Sequence, residues 1–525
     1  MAIKTLIKPS EYHDSVSLML AARDLSQMPG VVDASVVMAT EANKALLRTA
    51  GLLTPEAEAA TPNDLVIAVS APAELLEGAL TTAEHLLKKR ASENGDEAGA
   101  GYRPKTLRSA VKGAPSANIA VISVAGRYAA EEAWQALRLG LHVLLFSDNV
   151  SLADEIALKR YAVDHGLLLM GPGAGTTLLN GAALGFANRV PSGPVGIVSA
   201  AGTGLQEVST LLAKAGIGIT QGIGTGGRDL KEEVGGMMIL AGLKALQADP
   251  ATQVIALVSK PPAPQVARRV LEQVALSDKP SVVCFMGGDP AVVRSVPNAY
   301  PACTLQEGAL LAARLAKGEP VEGLDDWLVV ENRRLAEQAA GLKRGLAPTH
   351  KWVRGLFSGG TLCYEAQVIW RDLLVEPVHS NAPLEPANTL PDSTTSQGHT
   401  AVDLGEEEFT VGRPHPMIDN DLRIRRLLQE AQDLETAVIL LDVVIGYGAH
   451  PDPASELGPA VNKARQLARS TGRELPVIAS VTGTEQDPQG LSRQVQTLEN
   501  AGVVVCESNA AAARLAAGIV ADKGG

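Results

Sequence analysis

The chain has 525 residues, of which 46% are hydrophobic, 20% are charged and only 3% are aromatic. This length and composition are typical of a globular protein with three or four domains that pack through small and aliphatic side chains. The net charge of −12 argues against a surface for nucleic acid or for an anionic membrane, so we expect neither as a partner.

Cysteine usage predicts a reducing compartment. None of the four cysteines has the short paired spacing of a zinc site or of a disulfide framework, so we expect no metal and a cytoplasmic location. The first residues do not resemble a signal peptide, and no apolar run reaches membrane-spanning length. The cysteines are Cys284, Cys303, Cys363 and Cys506.

The first third of the chain predicts two α/β units. Residues 1–90 alternate short strand and helix patterns and form a small N-terminal α/β domain, and residues 91–117 have the composition of an exposed linker. Residues 118–192 alternate strands and helices in the manner of a Rossmann-like domain with a doubly wound parallel sheet. Its first strand is not followed by G-x-G-x-x-G, which excludes a dinucleotide-dependent dehydrogenase.

Two further α/β regions, residues 193–315 and 351–525, flank a polar, helix-prone connector at 316–350. Each region begins with a strand, a Gly-Thr turn and a helix. The uncapped N–H groups and the dipole of a helix N-terminus suit an anion, and glycine permits its close approach. We therefore predict one phosphate site made by both turns; the alternative is two ordinary strand-to-helix turns. The residues are Gly202, Thr203 and Gly204, and Gly359, Gly360 and Thr361.

Cations and other polar residues follow the strands of both regions. Because the carboxyl ends of parallel strands meet at one edge of a sheet, we expect these residues near the anion. Arginine offers a planar fork that matches phosphate oxygens, although bracing of its own loop is an equally simple role. We assign catalytic roles to Arg228, Arg413 and His415, and substrate contacts to Asp229, Lys260 and Asp442.

Several of these motifs resemble those of known families. Gly193-Pro194-Val195-Gly196-Ile197-Val198-Ser199 with Gly202-Thr203 is similar to the α subunit of succinyl-CoA synthetase, and residues 353–520 resemble the ligase domain of its β subunit. The chain as a whole resembles the FdrA family of acyl-CoA synthetase-like proteins, on motifs that include Gly224-Thr225-Gly226-Gly227-Arg228-Asp229 and Gly412-Arg413-Pro414-His415-Pro416.

The resemblance implies a fold and a site. It implies a Rossmann-like CoA-binding-type domain and two flavodoxin-like ligase domains, with phosphate held between two facing helix N-termini. The synthetase carries its phosphohistidine in a Gly-His-Ala-Gly loop, whereas this chain has Gly287-Gly288-Asp289-Pro290 there and no histidine between His165 and His350. We also find no counterpart of the ATP-grasp nucleotide domain.

One FdrA branch is the large subunit of oxamate carbamoyltransferase. By this resemblance we expect a carbamoyltransferase that uses carbamoyl phosphate and an amide or ureide acceptor such as oxamate. It would work as an oligomer with smaller partner subunits. The alternatives are a CoA-binding acyl-CoA synthetase that needs a nucleotide-binding partner, and a scaffold without activity.

Overall fold

The computed structural model describes residues 2–11, 13, 15–96, 104–347, 349–410 and 414–521. They belong to two compact units, Met1–Pro115 with Glu406–His415, and Ser116–Gly405 with Pro416–Gly525. Within these ranges every helix is too short or too polar to cross a lipid bilayer.

The first unit is built on an antiparallel sheet of three strands in the order β1-β3-β2. The apolar β3 lies in the centre, and its buried side chains pack against helices. Helices α4 and α5 occupy part of the stretch that we expected to be a linker, and Thr106 caps α5. The elements are β1 Ala2–Lys8, α1 Ser15–Ser26, β2 Asp33–Met38, α2 Glu41–Thr49, α3 Pro55–Ala59, β3 Leu65–Ala71, α4 Leu76–Asp96 and α5 Leu107–Gly113.

The second unit begins with the predicted parallel β-α-β-α-β segment. Its three strands lie in the order β4-β5-β6, with β5 buried between the other two. The elements are β4 Ile119–Ile122, α6 Gly126–Arg138, β5 His142–Leu145, α7 Leu152–Asp164 and β6 Leu169–Met170.

A sheet of seven strands follows, in the order β13-β12-β11-β9-β10-β7-β8. Strands β7 and β8 form an antiparallel hairpin at its edge, although we had expected residues 118–192 to form one separate domain. The elements are β7 Thr176–Leu179, β8 Ala182–Gly185, β9 Ser192–Ser199, α8 Gly202–Lys214, β10 Ile219–Gly224, α9 Met237–Ala248, β11 Val254–Ser259, α10 Pro264–Val274, β12 Ser281–Phe285, α11 Pro290–Arg294, β13 Ala299–Pro301, α12 Leu305–Lys317 and α13 Gly323–Lys343.

The last sheet has six parallel strands in the order β15-β16-β14-β17-β18-β19. Its core is continuous with that of the seven-stranded sheet, so the two α/β regions form one packed body. The elements are β14 Trp352–Phe357, α14 Gly360–Leu373, β15 Val378–Ser380, β16 His399–Asp403, α15 Glu407–Thr410, α16 Asp421–Gln432, β17 Thr436–Val444, α17 Pro453–Ser470, β18 Val477–Thr482, α18 Leu491–Asn500, β19 Val504–Cys506 and α19 Asn509–Val520.

Candidate functional site

The two Gly-Thr turns connect the central strands of the two large sheets to helices. Strand β9 leads into α8 and strand β14 leads into α14. The residues that precede the two helices, Ala201 and Gly359, provide no side-chain cap. The first N–H groups of both helices are therefore left for other partners.

The two turns lie directly against each other. The Thr361 N–H donates a hydrogen bond to Thr203 Oγ1 at 3.3 Å. A Cβ atom on Gly204 would lie 3.0 Å from Thr361 Cγ2, and one on Gly359 would lie 2.8 Å from Thr203 Cγ2. The predicted facing of the two helix N-termini is thus present, and glycine is what permits it. That the turns bind phosphate stays a prediction.

This close approach gives a prediction on stability. We expect Gly359→Ala to destabilise the protein by about 1–3 kcal/mol, because the new methyl group would overpack against Thr203 and push the two turns apart. Gly341→Ala in α13 is the control, since its Cβ would meet only Arg344 Nη2, at 3.7 Å. Alanine should leave that helix unchanged or slightly more stable. Urea unfolding of both variants tests this, and equal stabilities would contradict it.

A buried carboxylate binds the N–H groups of the α14 turn. Asp442 is fully buried, and its oxygens accept hydrogen bonds from the N–H groups of Ser358 and Gly359, each at 2.7 Å. Arg423 pairs with it at 3.0 Å. Burial raises the pKa of Asp442, and the Arg423 charge opposes that rise. Asp442 therefore positions the turn from within the protein. Its contact with substrate stays a prediction.

The α8 turn differs from the α14 turn. Among the described residues, no carboxylate accepts a hydrogen bond from Gly202, Thr203 or Gly204. Two buried hydroxyls, Thr225 Oγ1 and Ser259 Oγ, lie at the ends of the strands on either side of β9 and have no hydrogen-bond partner. Unpaired buried polar groups are costly, so their presence at this edge favours the α8 side for an anion.

Arg228 and Asp229 take part in a buried ion-pair cluster with helix α7. Arg228 Nε lies 2.8 Å from Glu155 Oε2, and its Nη2 donates to the Val150 carbonyl at 2.8 Å. Asp229 pairs with Lys159 at 2.9 Å and accepts hydrogen bonds from the first N–H groups of α9. These contacts show Arg228 and Asp229 bracing their loop. A role for either toward substrate remains a proposal.

Lys260 lies between the two α/β regions, after β11 and against helix α14. It is exposed directly after β11, and its Nζ lies 4.9 Å from the ring centroid of Tyr364, in the second turn of α14. A cation–π contact at this distance holds the ammonium group without neutralising it. Lys260 therefore links the two α/β regions.

The other two predicted catalytic residues are Arg413 and His415. Arg413 lies outside the described residues, and His415 belongs to the first unit. Their assigned roles stay predictions.

Two glutamates align when the Gly-Thr turns are superposed in the sequence, each four residues after the threonine of its turn, and they make a reciprocal contact between the regions. Glu207 on α8 accepts a hydrogen bond from the N–H of Asn509, the first residue of α19, at 3.0 Å. Glu365 on α14 accepts one from the N–H of Leu305, the first residue of α12, at 2.6 Å. Burial, with the Glu207 charge next, raises the pKa of Glu365 to about 7. The alignment of the two turns was the sequence signal for this pair.

Comparison with known proteins identifies two domains. Residues 356–519 match the family model described as CoA-ligase, and residues 1–104 match one described as AllF, heavy metal-associated domain. In the described part of the chain, no three His, Cys, Asp or Glu side chains group as metal ligands. The second unit is therefore an α/β body with a CoA-ligase domain.

One relative covers almost the whole chain. "Uncharacterized protein YahF" of Escherichia coli (strain K12) is 45% identical over 97% of both chains. The ADP-forming sulfoacetate-CoA ligase subunit SauD of Bilophila wadsworthia is 27% identical, over 35% of this chain and 64% of its own. A succinate–CoA ligase [ADP-forming] subunit alpha of Staphylococcus epidermidis is 28% identical, over 34% and 59%.

Among solved structures, a dinucleotide forming acetyl-coenzyme A synthetase 1 of Ca. Korarchaeum cryptofilum aligns over 77% of this chain and 82% of its own. It has a TM-score of 0.32 and 15% identity, a likeness too slight to carry a conclusion.

Proposed function

The chain belongs to the family of YahF and carries a CoA-ligase domain, and from this premise we propose that it is an acyl-transferring enzyme of the acid–CoA ligase type. Its substrate would be an acyl phosphate whose phosphoryl group binds beside the facing Gly-Thr turns. The observation that carries this proposal is the contact between Thr203 and Thr361, which joins two helix N-termini without an N-cap side chain of their own.

The side chains around the turns favour a substrate that arrives already activated. Burial raises the pKa of the Cys363 thiol well above its ordinary value, so it is a poor nucleophile. An acyl phosphate needs no nucleophile from the protein. The thiolate of CoA attacks the carbonyl carbon of the acyl phosphate and forms the thioester bond. The bond between that carbon and the oxygen bridging to phosphorus breaks, and orthophosphate leaves with the bonding electrons.

The groups at the turns suit this step. The free N–H groups at the start of α8 and the nearby Lys260 ammonium stabilise the charge of the departing phosphate. Positioning of the two reactants supplies the rest of the rate enhancement. The names of the matched ligases describe single subunits of ADP-forming enzymes, so we propose that this chain also works with a partner subunit, which handles the nucleotide.

A second candidate uses the same site with a different donor and acceptor. In a carbamoyltransferase, an amide nitrogen attacks the carbonyl carbon of carbamoyl phosphate, loses its proton, and orthophosphate leaves. The lack of a reactive thiol at the turns fits this reaction equally well. Two of the matched relatives are named as CoA ligase subunits, so the carbamoyltransferase is the second of the two candidate functions.

Thermal shift and kinetics with the full chain separate the two candidates. Acetyl phosphate, carbamoyl phosphate, CoA and inorganic phosphate are the probes, and a ligand at a hundredfold excess over its Kd adds about 2.7 kcal/mol of stability. Responses to acetyl phosphate and CoA support the ligase, and a response to carbamoyl phosphate without CoA supports the carbamoyltransferase. A chain that responds to none of the phosphates contradicts both.

We expect Thr203→Val to lower phosphate-dependent turnover about tenfold to a hundredfold, because the Thr361 N–H loses its acceptor and the α14 turn shifts. Thr203→Ser keeps the hydroxyl and is the matched control. It should retain most of the activity. Steady-state kinetics with the active acyl phosphate test this, and equal losses in both variants would remove the hydroxyl from the site.

A further inference from the structure

A cavity of about 490 Å³ lies at the end of the seven-stranded sheet opposite the Gly-Thr turns. Its walls are the turn between β7 and β8, the segment 188–192 that leads into β9, the first residues of β10, and Tyr447 of the last α/β region. The cavity wall extends from Ser192, at the start of β9, to Asn188, which accepts a hydrogen bond from Gln206, three residues after Thr203 on α8. The residues of the Gly-Thr turns are not among those that line the cavity.

The protein holds the cavity wall rigidly. Asn188 donates to the Ile445 carbonyl at 2.7 Å and to Asp487 at 2.8 Å, and it accepts a hydrogen bond from Gln206 at 3.0 Å. The backbone of Arg189 is fixed on both sides, by Asp487 at 2.7 Å and by Thr484 at 2.7 Å. The segment is thus pre-formed and does not need a ligand to order it.

The Arg189 side chain is not held in place as the Arg189 backbone is. It is exposed, and among the described residues it has no ion-pair or hydrogen-bond partner. It is also the one charged side chain among the described residues that line the cavity. Asp487 makes no ion pair with the Arg189 guanidinium; its oxygens accept from Asn188 and from the N–H groups of Arg189 and Thr484.

The rest of the lining is part polar and part apolar. Leu178, Val190 and Ile219 contribute aliphatic surface, and Tyr447, which is 43% exposed, contributes an aromatic ring. We propose that this cavity is a second binding site, for a small organic anion that sets its charged group on Arg189 and its apolar body against these side chains. The volume is within the range of small-molecule sites.

The cavity is lined by residues of both α/β regions. Arg189 and Tyr447 belong to different α/β regions, and an isolated β-bridge between Ala187 and Tyr447 joins the regions at this point. A ligand that contacts both residues stabilises the arrangement in which the two Gly-Thr turns also meet.

Calorimetric titration of the full chain tests the site. The probes are benzoate and phenyl phosphate, which distinguish a carboxylate from a phosphate head group, and neutral benzyl alcohol. Inorganic phosphate is present in excess, so that binding at the Gly-Thr turns does not contribute. We expect at least one of the two anions to bind, and benzyl alcohol to bind about tenfold more weakly or less.

Variants locate the binding. Arg189→Gln should weaken binding of the anion about tenfold or more, since it removes a charge-assisted hydrogen bond. Arg268→Gln, at an exposed position of α10, is the matched control and should bind as the unaltered chain does. Ala182→Phe should block the cavity mouth while leaving the melting temperature unchanged. Equal affinities of the Arg189→Gln variant and the unaltered chain, or no binding of either anion at millimolar concentration, would overturn the proposal.

Discussion

We expect Lys159→Met to destabilise the protein by about 3–5 kcal/mol, the usual cost of breaking a buried ion pair by removing one partner. Lys159 is fully buried, and its Nζ lies 2.8 Å from Glu155 and 2.9 Å from Asp229. It also donates to the Thr225 carbonyl at 3.2 Å. Without the ammonium group, Glu155 keeps its ion pair with Arg228, whereas the buried Asp229 loses its ion-pair partner.

The structural consequence would reach beyond the cluster. Helix α7 belongs to the three-stranded Rossmann-like segment, whereas Asp229 and Thr225 follow β10 in the seven-stranded sheet. Lys159 therefore fastens the first segment to the loop that carries Arg228. Arg160→Met, on the exposed side of the same helix, is the control and should change stability by less than about 0.5 kcal/mol. Denaturant unfolding measures both, and a loss below about 1 kcal/mol for Lys159→Met would show that water or a rearranged Arg228 replaces the ammonium group.

This cluster also shows which contacts could not be predicted from the sequence. The pattern of strand, Gly-Thr turn and helix predicted that Thr203 and Thr361 would face each other, because the two regions repeat one topology. The repeat carries no information on which cation faces the ligand. Arg228 follows β10 as expected, but its partners, Val150 and Glu155, come from a segment with a separate pattern of its own.

The prediction of the domain boundaries from the sequence was limited for a similar physical reason. Strands β7 and β8 pair in antiparallel fashion with the edge of the next sheet, and such long-range pairing leaves no trace in local periodicity. Asp442 illustrates the same point for the site. A carboxylate at the carboxyl end of a buried strand has the pattern of a substrate ligand, whereas here it accepts hydrogen bonds from the turn beside it.

Glu365 was visible in the sequence only as a partner of Glu207 in the alignment of the two turns. Its carboxylate is one helical turn beyond Thr361, and it joins α14 to α12 and to α19 through Leu305 and Asn509. Its burial is the property that the sequence did not show. Because of that burial, the ionisation of Glu365 is coupled to the packing of the two α/β regions.

We expect Glu365 to make stability fall as the pH rises from about 4.5 to 7. Its pKa is about 7 in the folded protein and 4.5 as the ordinary value, so between these values the folded state binds more protons than the unfolded state. The stability that this group contributes is therefore complete below pH 4.5 and is lost progressively until about pH 7. At 1.4 kcal/mol per pH unit the loss is about 3–4 kcal/mol.

The variant Glu365→Gln isolates this contribution. Its side-chain carbonyl still accepts the Leu305 N–H, but it carries no charge at any pH, so the variant should lose the fall in stability between pH 4.5 and 7. Its amide nitrogen replaces the oxygen that accepts from Asn509 Nδ2, so the slope of stability with pH, and not the stability at one pH, is the quantity compared. Glu337→Gln, at an exposed position of α13, should leave the pH dependence unchanged. Urea unfolding across this pH range measures all three proteins, and parallel curves for the Glu365→Gln variant and the unaltered chain would show that Glu365 titrates near its ordinary pKa in the folded state.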